Sequence, residues 1–408
     1  MRVVAKYLVL FIALIATFIV FAIGAYVMPD SKIHRHVKQT IERGDMNSDQ
    51  PRAILPKLQC RMDNFSDAII LNQAYVMRDE GLTGILSVPR WDEEKLPYEV
   101  LKDGVEGEEL ETVHYARYWH GNTFLARYLL VLYDYISIRF LLYIITSILL
   151  VWCAAILWLK GGWQIALATM FSIFTPYAFV MQFSLQLAMV MILALIGIIL
   201  IAKGFQRNLA FLIIGSLTCF FDLLTAPVLT LGMMLIVRAA LYPEDQFWKG
   251  WMYSCKEGLI WLVGYGGTWF SKWAIASVFT RENVIADGIK NILNRSSSSD
   301  YSRWDAVVAN IGLIPWNFVM VAVVIIFVLA LLHFKRNGWQ KALQILPLAV
   351  IPWMWYFFAA NHSYLHNWFT FRAQSVSIAA ITIAMMQMVE WNEIGNNNKW
   401  RRIKNRQI

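Results

Sequence analysis

Ten apolar runs constrain this chain more than any other feature: residues 8–28, 136–159, 164–181, 185–202, 209–225, 227–241, 258–279, 313–333, 342–360 and 375–391. Hydrocarbon offers no water to backbone N–H and C=O groups, so a run that crosses a bilayer has to be helical. The expected fold class is an all-α polytopic membrane protein with about ten transmembrane helices and a large first extracytoplasmic loop containing short amphipathic helices. Composition agrees: 58% of residues are hydrophobic, 16% are charged and 18 are Trp, which lies outside the soluble globular range. The first run has about 21 residues and follows Arg2 and Lys6. It exceeds a secretory signal core and reads as an uncleaved anchor with its N-terminus inside. The run from Pro227 is short, and reads as tilted, re-entrant or interrupted.

A net charge of +8 would suggest nucleic acid as the partner of a soluble protein, but here the charges are first sorted by membrane side. The expected inner segments carry Lys160, Lys203, Arg207, Arg238, Lys249, Lys256, Lys335, Arg336 and Lys341, and then a basic tail from Lys399 to Arg406. The outer turns near Ser184 and Ala226 carry none. Topology therefore accounts for most of the positive charge, and no nucleic-acid partner is expected. The chain divides into an anchor (1–28), an extracytoplasmic segment (29–127), a helical bundle (128–391) and a basic cytoplasmic tail (392–408), in the cell membrane with both termini cytoplasmic. Four cysteines, spread between apolar runs and loops on both sides, offer no pair for a disulfide or a metal.

The first outer segment holds the densest polar group of the chain, QCRMDNFSDAIILNQA from Gln59 to Ala74. Asn64 or Ser66 is placed to cap a helix over 68–78 that ends at Gly81, which crowds Asp63 and Asp67 at its N-terminus. Capping and dipole compensation explain such acids in an arbitrary sequence. Upstream, Ile33, Val37 and Ile41 recur every four residues among Lys32, Arg35, His36 and Lys38, the pattern of a short amphipathic helix ending near Gly44. Residues 89–111 read as an acidic surface loop. His114, Arg117 and His120 then stand among Tyr115, Tyr118 and Trp119, where aromatic residues are expected as an interfacial belt and the basic ones are not.

Further polar groups fall near the same outer face. Asp222 sits about one turn from the end of its run, a costly place unless it is paired, and Lys272 is a partner at similar depth. His362 and His366 lie four apart in ANHSYLHNWFTFR, a zinc-like spacing with no Glu between them and no evident third ligand. Hydrogen bonding to an anion suits them better, with Arg372 able to hold phosphate or to snorkel toward headgroups. The sequence contains no P-loop, no dinucleotide fingerprint and no nucleophile elbow. No metal site and no definite cofactor are assigned, and a divalent cation is left open.

The architecture resembles the polytopic glycosyltransferases of the GT-C superfamily. Locally, MDNFSDAIILNQAY, RYWHG, FDLLTAPVLTLG, ENVIAD and NHSYLHNWFTFR resemble the blocks of a poorly characterised family of multi-pass proteins found mainly in Gram-positive bacteria. The superfamily resemblance implies transfer of a sugar from a polyprenyl-phosphate donor to a cell-envelope glycan or lipid acceptor on the outer face, within the lipid bilayer. It also implies an acid in the first outer loop, soon after the first span. Asp30 holds that position, although the paired-acid signature is absent there.

The expected catalytic carboxylates are therefore Asp63 and Asp67, ranked ahead of Asp30, whose place at the start of a helix capping already explains. Asn64, Arg117, His120, Asp222, Lys272, His362, His366 and Arg372 are the expected substrate-binding residues. The alternative function is a transporter or flippase of lipids or lipid-linked sugars, for which Pro176, Pro227, Pro315 and Pro347 supply broken helices. An outer-face acyl or phospho-group transferase using His120 or His362 is a third reading.

Overall fold

The computed structural model describes residues 2–48, 53–55, 60–77 and 81–394. Gln59, Arg78 and the basic residues from Lys399 to Arg406 lie outside the described residues. The described chain is helical apart from two short antiparallel pairs, β1 (Ala53–Leu55) with β2 (Cys60–Arg61) and β3 (Arg90–Trp91) with β4 (Thr112–Val113). Among the described residues, five helices are long and apolar enough to cross a membrane, or six when one bent pair is counted as a span. The protein is an all-α membrane protein.

The order begins with α1 (Arg2–Tyr26), followed by the outer-segment helices α2 (Asp30–Glu42), α3 (Phe65–Val76), α4 (Gly81–Ser87), α5 (Pro97–Glu106) and α6 (Gly121–Leu130). The bundle follows with α7 (Tyr135–Gly161), α8 (Trp163–Phe174), α9 (Leu185–Ala202), α10 (Arg207–Phe221), α11 (Pro227–Leu241) and α12 (Phe247–Thr280). Then come α13 (Val284–Ser296), α14 (Arg303–Gly312), α15 (Trp316–Leu332), α16 (Gly338–Ile345), α17 (Ile351–Phe358), α18 (Ala360–Leu365), α19 (Asn367–Thr370), α20 (Ser375–Gln387) and α21 (Trp391–Ile394).

The apolar runs do not all become single straight helices. The run 164–181 breaks after α8: Pro176 has no N–H to continue the helical ladder, Tyr177 turns left-handed with φ 53°, and a 3-10 turn over Ala178–Phe183 leads to Ser184, which caps α9. The helices α14 and α15 meet at a bend of 77° near Pro315. Helices α10 and α11 have 15 residues each, about 22 Å, against a hydrocarbon core of about 30 Å. Helix α12 errs the other way, with 34 residues or about 51 Å.

Burial separates interior from perimeter. The apolar windows of α9 and of the Asn367–Gln387 stretch are 83% buried, whereas that of α1 is 22% buried. Close approach of α10 and α12 depends on two glycines: a Cβ on Gly215 would strike the Trp261 carbonyl, and one on Gly264 would strike that of Leu212. Small residues serve the same purpose between membrane helices in general, since attraction there rests on close packing.

In the outer segment, α2 buries Ile33, Val37 and Ile41 as its spacing predicts, and Gly44 follows with φ +69°. Two expectations fail. Helix α3 stops at Val76, and Gly81 opens α4 rather than closing α3. The stretch expected as a loop over 89–111 contains α5, entered through Pro97 at its first turn and left through Gly107 at φ 101°, with β3 and β4 pairing around it. Helices α3 and α6 settle on the bundle, so the outer segment is packed against the spans rather than suspended from them.

Candidate functional site

Asp63 and Asp67 converge, and both are enclosed, at 1% and 0% exposure. Asp63 ends the irregular stretch before α3, and its Oδ1 accepts the Ser66 N–H at 2.9 Å. Asp63, rather than Asn64, therefore makes the capping bond. Asn64 instead donates to the Ser48 carbonyl and accepts from Arg139 at 3.3 Å. One turn into α3, Asp67 accepts from the Tyr135 hydroxyl at 2.9 Å, the Ser184 hydroxyl at 2.9 Å and the Gln186 N–H at 3.3 Å. The Ser184 hydroxyl also lies 3.5 Å from Asp63 Oδ2, which makes it common to both acids.

The cation of this cluster is Arg139, on the first turns of α7. Its Nε stands 3.6 Å from Asp67 Oδ2 and donates to the Phe183 carbonyl, while the guanidinium lies over the Tyr135 ring at 4.8 Å. Burial pushes the Asp67 carboxyl up to about 7; Arg139 pulls it down and the neighbouring Asp63 pushes it up further. Burial also raises Asp63, against the Ser66 hydrogen bonds and the charges of Arg372 and Arg139. A carboxyl held near neutrality beside arginines can exchange a proton at neutral pH, which a surface carboxylate does poorly.

The histidine segment adjoins the acids through Phe65, whose ring lies 6.1 Å from His366 and 6.2 Å from Trp368. Helix α18 ends at Leu365, so His362 and His366 do not continue along one helix, although their rings lie 4.9 Å apart. His362 Nε2 donates to the Leu224 carbonyl at 2.7 Å and Nδ1 accepts from Arg295 at 3.0 Å, which occupies both ring nitrogens and leaves neither for a metal. Among the described residues, no group of three or more His, Cys, Asp or Glu is placed to hold a metal ion. Burial and then Arg295 hold His362 well below the usual histidine range and His366 at about 4. Burial favours the neutral form of both, and of His120, which it pushes down to about 3. The cations of this region are Arg295, placed over Tyr118 at 5.6 Å, and Arg372, 1% exposed and in the field of Asp63.

Other expected site residues have structural partners. Asp30 accepts from Arg127 at 2.6 Å, and the fully buried guanidinium of Arg127 also donates to the Ala25 and Ala74 carbonyls, tying α1, α2, α3 and α6 together. Asp222 and Lys272 form no ion pair with each other. Asp222 is held by the N–H and hydroxyl of Thr225, and Lys272 donates to the Leu86 carbonyl at 2.6 Å with its ammonium over Trp119. Arg117 pairs with Asp287 at 3.1 Å across to α13, while Trp269 and Trp273 both donate to its carbonyl. His120, left-handed at φ 57°, donates through Nε2 to the Tyr115 carbonyl.

Three participants went unnoticed in the sequence: Tyr135, Arg139 and Ser184. Arg139 carried the readable signal, an arginine four residues into an apolar run, where a charge is costly without a partner. Ser184 was visible only as an uncharged turn. Comparison of the chain with known protein families, with curated proteins and with solved structures finds no match.

Proposed function

We propose that the protein is a membrane glycosyltransferase that moves a sugar from a polyprenyl-phosphate-linked donor to a cell-envelope glycan or lipid. The observation that carries this reading is the joint hold of Asp63 and Asp67 on the Ser184 hydroxyl, at 3.5 and 2.9 Å, beside Arg139. That hydroxyl marks the position an acceptor hydroxyl takes in the reaction. Asp67 then removes its proton, the oxygen attacks the anomeric carbon, and the bond from that carbon to the phosphate oxygen breaks with its electron pair left on the phosphate. Arg372 and Arg295 supply positive charge where the phosphate charge grows. Because the acids are closed off, turnover requires α3 to separate from the 178–184 turn as substrate enters. In this reading ten crossings place the acid pair, the histidine segment and α13 on the extracytoplasmic side, with both termini cytoplasmic.

A second reading, transport of a lipid or lipid-linked sugar, rests on the break over Ala178–Phe183, which sets the start of α9 against the buried acids and the Phe183 carbonyl against Arg139. Interrupted helices at a buried ionisable group are an arrangement transporters use. Purified protein in nanodiscs with polyprenyl-phosphate sugars and glycan or lipid acceptors separates the two. Glycosyl transfer that Asp67→Asn abolishes supports the enzyme. Lipid movement in proteoliposomes without bond cleavage supports the transporter and overturns the enzyme.

A further inference from the structure

A hollow that none of the acid-cluster residues lines runs along α12. It is an apolar groove of about 750 Å³ between α1, α10 and the first half of α12, lined by Tyr7, Leu212, Trp248, Trp251, Lys256 and Val263 among others. Its volume falls within the range of pockets that enclose a whole ligand, roughly 300–1,000 Å³. Helices α1 and α12 cross where Phe11 meets Gly267, whose added Cβ would come within 3.1 Å of the ring. The groove opens on one side of that crossing.

Membrane depth narrows what fills it. Counting back along α12 from Phe279 by about 20 residues, the length that crosses about 30 Å of hydrocarbon, reaches Leu259. With the apolar run 258–279 taken as a crossing, Leu259, Ile260 and Val263 lie at acyl-chain depth and Lys256 about 4 Å beyond, at the level of lipid phosphates. Trp251 and Trp248 line the end of the groove beyond Lys256. The acid next in sequence, Glu257, is turned inward and sits 3.1 Å from the buried Arg238, its leading charge partner, with Lys256 a lesser one. Lys249, two helical turns before Lys256, is exposed like it, and neither forms an ion pair among the described residues. Lys6, at the same end of α1, donates to Gln206 at 3.3 Å and adds a third positive charge.

We propose that this groove binds an anionic phospholipid. One acyl chain lies along Leu212, Leu259 and Val263, and the phosphate rests between Lys256 and Lys249. A zwitterionic lipid would place its own cation beside two lysines, so the site discriminates by headgroup charge as well as by chain. The proposal is independent of the reaction at the acid pair and holds for enzyme or transporter.

The test is photocrosslinking of the full-length protein in phosphatidylcholine nanodiscs that contain a trace of diazirine-bearing phosphatidylglycerol, with the labelled peptides mapped by mass spectrometry. Crosslinks are expected at residues 255–263 and around Tyr7, and unlabelled phosphatidylglycerol, but not extra phosphatidylcholine, should compete them away. Each lysine removed, in Lys256→Gln and Lys249→Gln, is expected to lower labelling about fivefold, the effect of one basic residue near an anionic surface. Leu259→Trp fills the groove with the charges intact and should lower labelling too. A thermal melt of each variant confirms its fold. Equal competition by phosphatidylcholine, unchanged labelling in both the lysine and the Leu259→Trp variants, or crosslinks spread over other helices would overturn the proposal.

Discussion

Arg139 Nε and Asp67 Oδ2 stand 3.6 Å apart with side chains 7% and 0% exposed, and Arg139 is the leading charge acting on Asp67, ahead of Asp63. Removing one partner of a buried pair leaves the other uncompensated, which costs roughly 3–5 kcal/mol, whereas replacing both with apolar groups is often near neutral. We therefore predict that Arg139→Met destabilises the protein strongly and that Asp67→Leu in the same chain restores much of the loss. Thermal unfolding of the two single variants and the double variant in detergent measures the coupling. Additive losses would mean that the pair is not coupled.

The same carboxyl sets a pH dependence. Its folded value of about 7 lies above the ordinary 3.8, so the folded protein holds a proton that the unfolded chain releases. Stability is then greatest below about 4 as far as this group is concerned, declines as pH rises from there to about 7, and is level above. Asp67→Asn should remove that decline, and melting temperatures at steps across this window check it. A variant as steep as the parent would assign the slope to other groups.

Asp30 and Arg127 should respond unequally. Arg127 is buried and its guanidinium serves four acceptors on three segments, while the Asp30 side chain is 44% exposed. Loss of roughly 3–5 kcal/mol is expected for Arg127→Ala, and about 0–1 kcal/mol for Asp30→Asn. Sugar transfer should survive Asp30→Asn. An inactive but stable Asp30→Asn protein would move the catalytic base to that position.

Orientation is tested by cysteine labelling, with positions chosen for exposure. Ser66 and Ser363 are buried, whereas Ser299 and Asn337 are exposed. In a cysteine-free background, Ser299→Cys should react with an impermeant thiol reagent on intact cells and Asn337→Cys should not. The reverse pattern would invert the topology.

Gly215 and Gly264 set how closely α10 and α12 approach. Gly215→Ala forces a methyl against the Trp261 carbonyl, which backbone movement alone can relieve. A loss of roughly 1–3 kcal/mol is expected, typical of overpacking, and unfolding measurements report it.

Much of the architecture was legible from local chemistry. Hydropathy over windows of span length located the bundle, because a backbone in hydrocarbon has one local way to satisfy itself. The four-residue recurrence of Ile33, Val37 and Ile41 predicted α2 for the same reason, since the buried stripe of a helix is written in its own sequence. Helix breaks were half visible. Pro176 signalled one, but the left-handed Tyr177 and the 3-10 turn that aims Ser184 at the acids are set by packing of the surrounding helices.

By itself the sequence determined the helical class, the apolar runs, the crowding of Asp63 and Asp67 at a helix start, and the arginines available as counter-charges. Which charges meet was decided only by the tertiary structure. Asp67 and Arg139 are 72 residues apart, Asp30 and Arg127 are 97 apart, and His362 and Arg295 are 67 apart, separations over which residue spacing carries no information. The protonation states were decided there as well. Sequence shows His362 and His120 only as polar groups near one face, whereas in the fold burial, and then neighbouring charges such as Arg295 and Lys272, favour their neutral forms.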